Sequence, residues 1–305
     1  MSPRFLALGP FVLASVVLCG CNGGTPRATD IPPSTSAASP TGLALGEYLV
    51  LTLQFDADAA RISADLTEAL PRVQDGARFV DAAVELERAL SDIGGEAAVT
   101  LSEVTPPGEA EGYHDDLLRL LRDVERVADE MADALESEEP SAISAALLEF
   151  TSLLADLGRV GQQGQQLVIA ALAADGDDPL NAYLISVSKA RAEIATALAD
   201  IGVQLETAAD TEGAVAVLGD LIAALEDFED QWQELSPPPE VEVLHDRQAE
   251  LIANTIVVER SLLSGVRDQD DVALLEASEQ LLEITVEGGR LAADWAELLI
   301  DVLSR

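Results

Sequence analysis

The chain has 305 residues, and its 56 acidic side chains against 17 basic ones leave a net charge of −39. A field of that sign and size repels nucleic acid and anionic lipid headgroups, and leaves cations and basic surfaces as the partners it would attract. With two cysteines there is no disulfide framework to be built.

The first element is an export signal. Arg4 supplies a positive start, and Phe5 to Val17 supply an apolar run too short for an ordinary membrane-spanning helix. Leu18-Cys19-Gly20-Cys21 follows it, and this tetrapeptide resembles the lipobox of bacterial lipoproteins. The resemblance implies cleavage after Gly20, a lipid on Cys21, and a protein anchored to a cell membrane facing the extracytoplasmic side. Cys19 fits the acceptor position poorly, because bulky Leu18 would then precede the cut; an uncleaved anchor is the alternative. Residues 1–20 are thus expected to be a signal peptide, and losing Arg4 with it takes the charge from −39 to −40. Residues 21–43 are expected to be the lipidated cysteine and a tether. Asn22 to Thr41 is rich in Ser, Thr, Pro, Ala and Gly with little to bury. A flexible tether of this length reaches about 25 Å, enough to hold a folded body just off a membrane.

From Leu43 onward the pattern is all-α. Ala, Leu, Glu, Asp and Arg dominate, and apolar residues recur at spacings of three and four, as in Leu117, Leu120, Leu121, Val124, Val127, Ala128 and Met131. Proline, glycine and aspartate punctuate this run into eight helical stretches, near 44–70, 75–104, 107–137, 141–173, 179–208, 212–235, 238–266 and 271–303.

The two histidines show how the stretches are related. TPPGEAEGYHD and SPPPEVEVLHD carry them in one setting, and a shift of 131 residues aligns Pro106-Pro107 with Pro237-Pro238, Glu103 with Glu234, Glu111 with Glu242, and His114-Asp115 with His245-Asp246. A shift of 135 aligns Tyr48-Leu49-Val50 with Tyr183-Leu184-Ile185. Order and spacing both repeat, so the expectation is a tandem duplication: helical-bundle unit 1 over residues 44–176 and unit 2 over 177–305, each an antiparallel four-helix bundle with short connections.

Within each unit the starts of the first and third helices and the end of the second should lie at one end. That places Tyr48, Glu103, Glu111 and His114 together, and likewise Tyr183, Glu234, Glu242 and His245. Prolines with glutamates suit a helix start, with Thr105 or Ser236 as cap and each histidine about two turns in. The plainer role for these residues is a buried hydrogen-bonded clamp between Tyr, His and Glu. The sharper one is a divalent-metal site, since Glu-x-x-His on a helix puts both side chains on one face. Two such motifs resemble the ligand set of ferritin-like di-iron bundles, but the further carboxylates, Asp81 and Glu212, fall about 20 residues out of register with them, on the order of 30 Å along the axis.

No other catalytic pattern is present: no Gly-x-Ser-x-Gly, no phosphate-cradling loop, no His-Glu-x-x-His. Asp175-Gly-Asp-Asp and Asp268-Gln-Asp-Asp read as solvated turns without calcium-loop spacing. Trp232 and Trp295 read as core, and Gly158, Gly161 and Gly164 share a helix face that could mark a close approach or a break. The expectation is therefore a lipid-anchored, non-enzymatic helical-bundle protein of the cell envelope, with no nucleic-acid partner. It binds a protein or cationic partner or serves a structural role; the alternative is divalent-metal binding at the Tyr-Glu-His clusters. No cofactor is expected beyond the lipid on Cys21.

Overall fold

The computed structural model describes residues 43–70, 77–137, 139–174, 178–207 and 211–305. The signal, Cys21 and the tether lie outside the described residues. The described chain is all-α: α1 Leu45–Ala69, α2 Ala77–Ser102, α3 Glu111–Ser137, α4 Pro140–Ala174, α5 Pro179–Thr207, α6 Thr211–Glu234, α7 Glu242–Asp268 and α8 Asp271–Leu303, with one 3₁₀ turn at Gly108–Ala110. Among the described residues no helix is long and apolar enough to cross a membrane.

Two helix starts differ from the sequence reading. α3 and α7 begin at Glu111 and Glu242, not at the prolines. A proline disfavours the helical region for the residue before it, so the second proline of each pair keeps the first extended, and Pro107 is itself extended at φ −64, ψ 150. Neither expected cap is formed, since the residue before α7 is Val241 and it makes no side-chain cap bond. Each histidine consequently sits in the first turn of its helix, not two turns in. The other turn of note behaves as a solvated connection. Gln269 takes φ 55 to end α7, and Asp270 Oδ1 accepts from the backbone N–H groups of Val272 and Ala273 at 3.0 and 3.2 Å to start α8.

Successive helices pack side by side, and α1 lies along α8 for most of its length. The pair is antiparallel and close. Gly46 faces the Leu303 carbonyl, and a β-carbon at Gly289 would come within 2.9 Å of the Ala60 carbonyl. Ala57, Ala293 and Ala296 line the middle of the seam, and ion pairs Arg61–Glu297 and Arg290–Glu68 flank it. On the other side α4 and α5 pack as an antiparallel hairpin, with Asn181 Nδ2 donating to the Leu172 carbonyl at 3.5 Å. The 131- and 135-residue shifts carry α4 onto α8 and α1 onto α5. By those shifts the α4–α5 seam corresponds in register to the α8–α1 seam, and the first helix runs along the last.

The larger core cluster is built around Trp232, Trp295, Phe228 and Leu281 of α6 and α8, and takes in Leu49 of α1 and Val168 and Leu172 of α4. Burying each of these large side chains is worth about 1.5–3 kcal/mol. A smaller cluster holds Tyr48, Ala110, Tyr113, Leu120, Val127, Leu153 and Val160. Tyr48 and Leu49 are neighbours on α1 but enter different clusters, so the start of α1 wedges between the two halves. In the first half α1 touches α2 and α4 only sparingly, because its length is committed to α8.

Candidate functional site

The two histidines are fixed by one device. Tyr48 lies at the start of α1 and His114 in the first turn of α3, and their Oη and Nδ1 atoms are 3.1 Å apart. Tyr183 on α5 and His245 on α7 repeat the bond at 2.8 Å. Both bonds are buried, with His114 at 6% and His245 at 8% exposure. Burial lowers the pKa of each imidazole, against a smaller upward pull from the neighbouring Asp115 or Asp246. It raises both phenols as well. A neutral imidazole and a neutral phenol are the forms that suit a dry setting.

The four glutamates do not join them. Glu103, Glu111, Glu234 and Glu242 are all solvent-exposed. The structure brings tyrosine and histidine together in each half and leaves the carboxylates outside. Among the described residues no group of three or more His, Cys, Asp and Glu side chains is close enough to hold a metal ion.

Around His245 the second half adds Trp232 and Trp295, which the sequence marks as core and which are buried, together with Arg191 and Gln248, which the sequence reading did not single out. The Trp232 ring stacks on the imidazole, with centroids 5.2 Å apart and planes at 16°, while its Nε1 donates to the His245 carbonyl at 3.2 Å. Trp295 meets Trp232 edge-on at 5.9 Å. Above Trp295, at 4.8 Å, lies the guanidinium of Arg191, which also donates to Gln248 Oε1 at 3.0 Å. Arg191 is 7% exposed and Gln248 3%. A buried cation over an indole face is favourable through the ring quadrupole. Arg191 stands eight residues, about two turns, after Tyr183 on α5, a spacing that does not by itself mark an arginine as buried.

The first half is built differently. Tyr113 takes the place beside the tyrosine, its ring edge-on to Tyr48 at 6.3 Å. It lies over Gly164, where a β-carbon would sit 3.2 Å from the phenol oxygen. That contact accounts for one of the three glycines, and α4 runs through all of them unbroken. Thr52 and Asp56 continue the α1 stripe begun by Tyr48, at spacings of four. Burial raises the Tyr113 phenol, the charge of Asp56 and the Tyr48 phenol raise it further, and the Thr52 hydroxyl beside it pulls the other way. Asp56 is exposed on α1, and neighbouring protein atoms push its carboxyl up to about 6. On α2, part-buried Glu87 is pushed to about 7 for the same reason.

One interhelix link appears in both halves with its polarity reversed. In the first, Asp116 of α3 accepts from Arg159 Nη1 at 2.5 Å and Gln163 Nε2 at 3.1 Å of α4. Burial opposes its charge, but those two bonds and the nearby guanidinium groups hold it below the usual carboxylate range. In the second, Arg247 of α7 stands where Asp116 does, and reaches Glu287 at 2.8 Å and Asp294 at 2.6 Å on α8.

No family model, no curated protein and no solved structure matches this chain. The neutral, hydrogen-bonded imidazoles pin helix starts. Most of the charge on the outer faces is carboxylate.

Proposed function

We propose that this chain is a lipid-anchored, non-enzymatic helical-bundle protein of the cell envelope that binds a cationic partner, in first place a basic protein. One observation carries the reading. Eight arginines, Arg61, Arg88, Arg119, Arg126, Arg159, Arg247, Arg260 and Arg290, are each paired to a carboxylate of this chain, and the basic residues are outnumbered 56 to 17 by acidic ones. The acidic excess behind the charge of −39 is therefore left on the outer helix faces. Such a surface attracts a basic partner from a distance and sets its on-rate more than its final affinity. The reading also rests on the resemblance of Leu18-Cys19-Gly20-Cys21 to a lipobox, and on a duplication that repeats the Tyr–His device and the Asp116/Arg247 link. A divalent-metal site at the Tyr–Glu–His end draws no support from the exposed positions of the four glutamates.

The test is a pull-down from envelope extract with the mature chain. A basic protein is expected to be retained at low salt and released near 0.5 M NaCl, where the screening length falls to about 4–5 Å. Retention unaffected by salt, or no partner with no phenotype on deletion, overturns the reading. The anchor is tested separately: Cys21→Ser is expected to move the protein from the membrane fraction to the soluble fraction, and an unchanged membrane fraction counts against lipidation.

A further inference from the structure

Tyrosine and tryptophan are the aromatic side chains that give up an electron most readily, and the chain holds three of one and two of the other, with two histidines. All of them stand in two groups. Tyr48 meets His114 at 5.8 Å between ring centroids and Tyr113 at 6.3 Å. Tyr183 meets His245 at 6.1 Å, and Trp232, stacked on that imidazole, meets Trp295 at 5.9 Å. Each group is buried, and each contains one tyrosine hydrogen-bonded to an imidazole.

A phenol that loses an electron becomes a strong acid. In a dry core its proton can leave only to a base within hydrogen-bond reach. The imidazoles are such bases, held neutral by burial. Among the described residues each of the two hydroxyls has one hydrogen-bond partner, Nδ1 at 3.1 Å for Tyr48 and 2.8 Å for Tyr183. Were Nδ1 the donor, the phenol's own O–H would stay buried without an acceptor. The phenol therefore donates, and the imidazole keeps its proton on Nε2 and a lone pair on Nδ1. Tyr113 is built otherwise, with the Thr52 hydroxyl beside it, a far weaker base.

We propose that Tyr183 and Tyr48 are redox-active, each giving one electron to an oxidant outside the chain as its proton passes to the histidine bonded to it. The Oη–H bond breaks and an Nδ1–H bond forms. The tyrosine becomes a neutral phenoxyl radical, the histidine an imidazolium, and the oxidant is reduced by one electron. An electron from a reductant reverses both changes. The acidic field keeps anions away, so the oxidant is a neutral or cationic one-electron acceptor, for example an organic peroxyl radical that takes a proton from water and leaves as the hydroperoxide. The inference goes beyond the cationic-partner reading and does not depend on it.

The second half favours the step more than the first. Trp232 lies flat against His245, with planes at 16°, so the imidazolium gains a cation–π contact, and the adjoining Asp246 also favours its charge. The Arg191 guanidinium, 4.8 Å over Trp295, opposes positive charge on that indole. An electron vacancy formed at Trp295 is thus driven through Trp232 to Tyr183, where its charge rests on His245. His114 carries no indole on its face. Tyr183 is accordingly the easier of the two tyrosines to oxidise.

The experiment is flash oxidation of the full chain by photogenerated tris(bipyridine)ruthenium(III), a cation that the acidic surface admits, with the radical identified by electron paramagnetic resonance. A tyrosyl radical is expected, forming more slowly in heavy water because a proton moves in the same step. Tyr183→Phe should remove the larger part of the signal and Tyr48→Phe the rest, while Tyr113→Phe leaves it in place. In the Tyr48→Phe background, His245→Asn is expected to slow oxidation of Tyr183 by about 10²-fold or more, the least that a positioned base contributes. A tyrosine–histidine bond that only clamps the helices would change the melting temperature of these variants and leave the oxidation rate and the heavy-water effect untouched. A radical that stays on tryptophan, a tyrosyl signal that survives loss of both Tyr48 and Tyr183, equal rates in light and heavy water, or an unchanged rate in folded His245→Asn overturns the proposal. Should His245→Asn fail to fold, the comparison of light and heavy water on the parent chain decides it.

Discussion

His114 and His245 are polar groups held neutral in a dry place, and their bonds to tyrosine make this affordable. Tyr183→Phe leaves His245 Nδ1 buried without its 2.8 Å partner, so a loss of about 1–3 kcal/mol is expected in urea unfolding at neutral pH. The native imidazole pKa lies below its ordinary 6.5. As pH falls past 6.5 the unfolded chain takes up a proton that the native state refuses, and stability declines until the lower native pKa is passed. His245→Asn should therefore remove part of the decline seen on going from pH 7.5 to 5.5. Glu87 behaves oppositely. Its native carboxyl is raised from 4.5 to about 7, so the native state binds more protons between those values, and stability is lost as pH rises through about 7. Allowing for partial solvent screening, Glu87→Gln is expected to raise stability by about 1 kcal/mol at pH 8 and to change little at pH 4. The tyrosine–histidine pairs were legible in the sequence because both residue types are scarce and recur at matched spacings. Arg191 and Gln248 were not, because arginine and glutamine on helices are common, and only packing shows which of them face inward.

The close seam between α1 and α8 depends on which glycines face backbone and which face room. A β-carbon at Gly289 would meet the Ala60 carbonyl at 2.9 Å and the Ala64 β-carbon at 3.0 Å, and backbone cannot rotate away. Gly289→Ala is accordingly expected to cost about 1–3 kcal/mol in thermal unfolding, against the helix propensity it adds. Gly46 has 3.4 Å to the Leu303 carbonyl, an ordinary contact, so Gly46→Ala should be neutral or stabilise by up to about 1 kcal/mol. If the two variants melt alike, the seam is not backbone-tight as described. The helices themselves were readable from their period. Two boundaries were not, because α3 and α7 begin past their prolines: a double proline suits a helix start by its φ, yet it also forces the residue before it out of the helical region. That difference moves each histidine into the first turn of its helix.

At the scale of the whole molecule the repeat explains a contact that a sequence of helical hairpins does not foretell. Short connections place neighbours in the chain side by side, but nothing in α1 or α8 alone says that the first helix should run along the last. The proposed duplication does: if α4 packs on α5 between the halves, then by the same surfaces α8 packs on α1. The ends of the folded body are consequently adjacent, with Gly46 against Leu303, and the connection between α4 and α5 has no special standing over a new one between α8 and α1. A circular permutant of residues 43–305 tests this. It would start at Asp178, end at Ala174, and join Arg305 to Leu43 through a short Gly/Ser linker of about six residues. Such permutants are tolerated when termini are close and the opened loop carries few contacts. The expected outcome is a helical monomer whose melting temperature lies within about 5 °C of the parent, equivalent to a change on the order of 1–2 kcal/mol for a chain of this size. An unfolded or molten permutant would mean that the α4–α5 junction holds the halves together in a way the α8–α1 junction cannot. The two seams would then be alike in sequence register but not in structural role.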